Sequence, residues 1–253
     1  MRATEFVFEA RRNPQQNPKV KGAMAAVGIL QQIPQDQLRS YGVSMNDHLK
    51  LGVNPKASYS NTPAGVYFYP ADYYIELSKN SSEFNASISN TDWAKGFDDN
   101  DEIPGEEDNG EEVPFRAEAK YINIIQITSN KIIDFSTNTD VVAQFEKLLP
   151  TLQKQYNFNM ENVKFEQSDN PGINVYNKIF GIAKSFQKPL DWNNKNVWTV
   201  AHKQNVQTIN LANKLIRMLG YDVVIDHGVG YIHENEPTQG VCLTTSKIGR
   251  AHV

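Results

Sequence analysis

Ionisable side chains crowd one stretch near the end of the chain, Leu211–Lys247, LANKLIRMLGYDVVIDHGVGYIHENEPTQGVCLTTSK. Asp222, Asp226, His227, His233, Glu234 and Glu236 fall there around two short apolar runs. Two histidines among carboxylates can hold a divalent ion, so Asp222, Asp226, His227, His233 and Glu234 form one candidate set for metal-dependent hydrolysis. No fixed helical spacing relates them, and a solvated turn is the plainer account of the same residues. A second chemical candidate is the tyrosine group Tyr67, Tyr69, Tyr73 and Tyr74. It can serve as packing or as a stacking wall for a flat ligand such as a nucleobase or nicotinamide.

The elements that must hold these groups can be read from periodicity. Leu211, Leu215, Met218 and Leu219 recur at helical spacing, within a helix expected over Val206–Leu219. Lys214 and Arg217 suit its C-terminal dipole, and Gly220 is the usual left-handed stop. Tyr221–Ile225 is apolar and rich in β-branched residues, the mark of a buried strand, and Gly240–Leu243 reads as a second. Upstream, Thr62–Gly65 is a turn, Val66–Tyr69 a strand stopped by Pro70, and Ala71–Leu77 a helix. Leu38–Ser44 reads as a first strand. Ala119–Phe135 reads as a strand pair around Ser129-Asn130. Thr139 or Asp140 can cap a helix over Val141–Tyr156, and Val175–Phe186 reads as another helix.

Composition sets outer limits. The chain has 253 residues, 40% of them hydrophobic, with a net charge of −4 and a single cysteine. That suffices for a sizeable core, supplies no global basic field for nucleic acid, and leaves Cys242 as a packed thiol. No run reaches the roughly 18 apolar residues of a membrane span. Met1–Arg12 lacks the apolar core of a secretory signal, so export by a signal peptide is not expected and a cytoplasmic place is. Asn80–Pro114 is polar, and FDDNDEIPGEEDNGEEVP gathers acidic residues without EF-hand spacing. It reads as a disordered acidic insertion whose charge opposes nucleic-acid docking at that face. The organisation expected is an N-terminal helical and linker segment over 1–35 and one α+β domain over 36–248 with the insertion at 80–114. Residues 249–253 read as a non-native tail, because IGRAHV is similar to a translated sequencing adapter. No G-x-G-x-x-G, Walker, H-E-x-x-H or G-x-S-x-G motif occurs.

Four segments carry a resemblance: YGVSM, then LKLG with TPAGVYFYPADYY, then AKYINIIQIT with NKIIDF, then LGYDVVID with EPTQGVCLTTSKI. Together they resemble the ADP-ribosyltransferase-like fold in the form found in phage and bacterial toxin proteins. The resemblance implies a split mixed and antiparallel sheet with peripheral helices, NAD as cofactor, and a host macromolecule as target. It places Tyr41-Gly42 at the first NAD-contacting motif, where the family has His-Gly or Tyr-Arg. It places Gly65 and Tyr67 in the second motif and gives Tyr73 (or Tyr74) the place over nicotinamide. Gln239 falls where the family has its catalytic Glu, with Glu236 three residues earlier as an alternative. A neutral Gln keeps a hydrogen bond to the ribose but withholds the negative charge, a class of term worth ~3 kcal/mol. Two readings follow from the resemblance: a phage-encoded transferase using Glu236 or Gln239, and a non-catalytic phage accessory or virion-associated descendant that keeps the fold to bind a partner.

Overall fold

The computed structural model describes residues 18–44, 62–79, 122–232 and 238–250. Residues 1–17 of the expected N-terminal segment, the insertion, and His233, Glu234 and Glu236 lie outside them. The described chain is an α+β protein with seven strands and five helices. In chain order these are α1 (Pro18–Leu30), β1 (Tyr41–Ser44), β2 (Val66–Pro70), α2 (Ala71–Lys79), β3 (Asn123–Ile127), β4 (Ile132–Ile133), α3 (Asp140–Tyr156), α4 (Pro171–Lys184), α5 (Val197–Met218), β5 (Val223–His227), β6 (Thr238–Cys242) and β7 (Ile248–Arg250). None of these helices is long and apolar enough to cross a membrane.

The strands form one mixed sheet in the order β4-β5-β6-β2-β1-β3-β7. Only β4 and β5 run parallel. Strand β2 divides its pairing: Val66, Tyr67 and Phe68 face β6, whereas Tyr69 and Pro70 face β1. Pro70 therefore ends the strand from within it, and α2 begins at the next residue.

Strand alternation sorts the core into three clusters. Tyr67, Val224 and Val241 point to one face, where α3, α4 and α5 cover them with Phe145, Tyr176, Ile179, Ala212 and Leu215. Val43 and Tyr69 meet α1 and α2 through Ala23, Val27, Leu30 and Tyr74. Val66, Phe68, Ile125, Ile127, Val223, Ile225 and Cys242 fill a third cluster with no helix in it.

That third cluster requires curling. Strands β3 and β5 stand four steps apart, about 19 Å across a flat sheet. Their side chains nevertheless share one core. The link from Ile127 to Ile132 spans at most ~17 Å, too little for the five flat steps between β3 and β4. The sheet therefore rolls up with its inner face against itself.

This corrects the expected strand pair over Ala119–Phe135. Strands β3 and β4 do not pair; they lie five places apart in the order. Ser129 at the bend is drawn instead to Asp222, its hydroxyl donating to Oδ2 at 3.1 Å. The Asp222 amide in turn donates to the Lys131 carbonyl. Helices α4 and α5 also start earlier than expected, at Pro171 and Val197. Asn170 caps α4, accepting from Gly172 and Ile173. Thr139 takes the N-cap position of α3, as one of the two expected residues, but its side chain makes no capping bond; Asn138 Oδ1 instead accepts from the Val141 amide at 3.2 Å. At the far edge, residues 248–250, two of them expected to belong to a tail, pair with β3 as β7.

Candidate functional site

Two strands bring the ionisable stretch to a point. In the β5–β6 ladder Asp226 lies opposite Gln239 and His227 opposite Thr238. Successive residues of a strand face opposite ways, so Asp226 shares the helix-covered face with Val224, and His227 lies on the other face at the exposed end of the strand. Asp226 is fully buried, and its carboxylate accepts from the amides of Val229 (2.9 Å) and Ile232 (3.2 Å). It clamps a turn in which Gly228 and Gly230 take positive φ. Tyr231, from the same turn, donates to the Ile225 carbonyl at 2.7 Å and accepts from the Phe135 amide at 3.1 Å. Its ring meets Tyr176 edge-on, at 5.0 Å between centroids. Burial pushes the Tyr176 hydroxyl well up, and Tyr67, Tyr231 and Asp226 nearby push it further. Asp226 thus belongs to an interior polar nest.

His227 makes a different kind of contact. Its Nδ1 lies 3.0 Å from Asp134 Oδ2, while Asp134 Oδ1 accepts from the Ser136 amide (2.8 Å) and hydroxyl (2.5 Å). The hydrogen bond to Asp134 raises the imidazole's pKa above its ordinary value, against the opposing effect of burial. For Asp134, burial acts to raise the carboxyl, but the bonds from His227 and Ser136 outweigh it and leave the group low. An oriented, half-exposed imidazole on a carboxylate is two parts of an acid–base triad. Cys242 does not supply the third part: it is fully buried, its thiol pushed up by burial. Asp134 escaped the sequence reading because it lies 93 residues from His227; only the parallel pairing of β4 with β5 joins them.

The described members of the candidate metal set, Asp222, Asp226 and His227, do not converge; His233 and Glu234 lie outside the described residues. Asp222 bonds Ser129 and lies 3.7 Å from Arg217, Asp226 holds its turn, and His227 faces Asp134. Among the described residues no group of three His, Cys, Asp or Glu side chains could hold a metal ion.

Of the positions singled out for a dinucleotide, Tyr41, Gly42, Tyr67 and Gln239 are in the sheet, Gly65 directly precedes β2 and Tyr73 is in α2; packing occupies them. A Cβ on Gly42 or Gly240 would come closer than 3.0 Å to the Phe68 ring, and one on Gly65 would meet the Cys242 backbone. Both strands flanking β2 thus carry glycine where Phe68 needs room. Tyr67 donates its hydroxyl to the Pro63 carbonyl at 2.6 Å and packs on the α3–α5 cluster. Tyr41 and Tyr73 pack on the α1–α2 cluster, Tyr73 with its ring 6.2 Å from that of Tyr69. Gln239 is 1% exposed and, two residues from Val241, shares that side chain's helix-covered face. Tyr67 and Tyr73 therefore belong to separate clusters.

Asn213, also missed from sequence, ties α5 to the entry of β2. Its Oδ1 accepts from the Ala64 amide at 3.1 Å and its Nδ2 donates to the Ala64 carbonyl at 2.5 Å. A buried asparagine in an otherwise apolar helical stripe is the one sequence signal that could have found it.

The chain matches no family model, no curated protein and no solved structure. Its function is therefore argued from its own geometry.

Proposed function

We propose that this chain is a binding protein on an ADP-ribosyltransferase-like split sheet, without transferase chemistry. The divided pairing of β2, half to β6 and half to β1, supports the split-sheet reading. The burial of Gln239 carries the functional one. Transfer from NAD needs negative charge against the ribose as positive charge develops there. The residue at that position is a neutral amide sealed under the helix layer. The neighbouring positions are consistent with this: Phe68 fills the space at Gly42 and Gly240, and Tyr67 is held by Pro63.

Calorimetric titration of NAD, with nicotinamide release followed in parallel, tests the proposal. The expected result is no NAD-dependent nicotinamide release, and no binding that responds to Tyr67→Phe or Tyr67→Ala. Tyr67→Phe removes only the hydroxyl and so guards against misfolding. NAD turnover that is abolished in Glu236→Gln would restore the transferase, with Glu236 as its charged group.

A further inference from the structure

A cleft of about 540 Å³ opens between the second half of α5 and the ends of β4 and β5. Asn210, Lys214 and Arg217 line it from one face of α5, at positions i, i+4 and i+7, and all three are exposed. Lys131 enters from the segment before β4, and Asp222 from the segment before β5. Met218 and Leu243 add apolar wall.

The charge of this cleft runs against that of the chain. The whole sequence carries −4, yet three cations and one carboxylate line the cleft. That carboxylate is already engaged: Asp222 Oδ1 lies 3.7 Å from Arg217 Nε, and Oδ2 accepts from Ser129. Lys214 sits over the Tyr156 ring, 5.5 Å from its centroid. Lys131 and Lys214 have no carboxylate partner among the described residues. Cations along the last turns of a helix also offset its dipole. Lys131, however, is not on the helix. The final carbonyls of α5 are moreover already capped, Leu215 by the Leu219 amide, Ile216 by Tyr221 and Arg217 by Gly220.

We propose that this cleft binds a phosphate-bearing small molecule. Like charges gathered in a concave site focus the field and concentrate anions. A guanidinium fork with two ammonium groups suits a multiply charged group with several acceptor oxygens better than it suits a single carboxylate. The volume lies in the range of small-molecule sites, roughly 300–1,000 Å³. It leaves room beside the phosphate for an organic remainder against Met218 and Leu243. The cleft lies at the opposite end of β6 from Gln239, so the inference is independent of the NAD question.

Titration of inorganic pyrophosphate into the full chain at constant ionic strength tests it, with Lys131→Gln, Lys214→Gln and, as a control, Lys79→Gln in α2. All three lysines are exposed, and thermal melting verifies that the variants fold. Saturable binding, weakened about tenfold by either cleft substitution and unchanged by Lys79→Gln, is the expected result. No saturation by about 10 mM, or equal weakening in all three variants, overturns the proposal. Because NAD itself contains a pyrophosphate, NAD binding that responds to Lys214→Gln but not to Tyr67→Phe belongs to this cleft.

Discussion

Single side chains set the character of the β5–β6 corner. The Asp134–His227 pair couples stability to pH from two sides. The imidazole's pKa is raised above 6.5 on folding, so its contribution is whole below that value and lost as pH rises through the folded one. The Asp134 carboxyl is depressed below 3.8, so its contribution is whole above that value and lost as pH falls through the folded one. The pair is therefore worth most between these two ordinary values. His227→Gln should lower denaturant midpoints across that window and flatten their fall as pH rises above 6.5, at a cost under about 1 kcal/mol, because half the imidazole is in water. Asp134→Ala should cost more, about 1–2 kcal/mol, since the half-buried donors of Ser136 also lose their acceptor. Phe68 gives a second prediction at this scale. Gly240→Ala should destabilise by roughly 1–3 kcal/mol through overpacking against the ring. Phe68→Leu should relieve part of that loss in the double variant, a coupling that a mutant cycle measures directly.

Between elements, a few polar contacts do what apolar packing cannot: they fix register. Asn213 pairs with both backbone groups of Ala64 and so sets where α5 lies along the turn into β2. Asn213→Ala should cost about 2 kcal/mol or more, because two buried backbone groups lose their partner. Asn213→Leu should not recover it, since the loss is of hydrogen bonding and not of volume. Asn170 plays the same part for α4. It caps the helix and donates to the Ser136 carbonyl at 2.7 Å, which fastens the helix start to the segment carrying Asp134. Just inside that cap, a Cβ on Gly172 would run into the Phe135 carbonyl. Gly172→Ala should therefore push α4 away from the turn, and equilibrium unfolding should show a loss exceeding that of Asn170→Ala, which is about 1 kcal/mol.

At the scale of the whole molecule, the rolled sheet orders local stability. Strands β5, β6 and β2 are flanked on both sides and contribute Val223, Val66, Phe68 and Cys242 to the inner cluster. Strands β4 and β7 close the order at its two ends. In native-state hydrogen exchange the amides of β5, β6 and β2 should exchange slowest and those of β7 among the fastest of the strands. Uniform protection across all seven strands would contradict that ordering.

Most of the elements were legible in the sequence, for local reasons. The stripe Leu211, Leu215, Met218, the stop at Gly220 and the β-branched run after it are set by periodicity and backbone sterics within a few residues. Gly220 does take a positive φ, 102°, two residues past the end of α5. The α+β class followed from the same signals. The buried, inert state of Cys242 followed from its place in an apolar strand. What the sequence could not determine is partnership across distance. That β3 and β4 part instead of pairing, that Asp134 meets His227, that Asn213 holds Ala64, and that Lys131 joins Lys214 and Arg217 around one cleft all depend on how the sheet rolls. Rolling is decided by the summed packing of side chains far apart in the chain. The glycines show the difference most plainly. In the sequence Gly42 and Gly65 stand out only as parts of NAD-contacting motifs and Gly240 as the start of a strand. Only the folded sheet determined that Gly42 and Gly240 leave room for Phe68, and Gly65 for the backbone of Cys242.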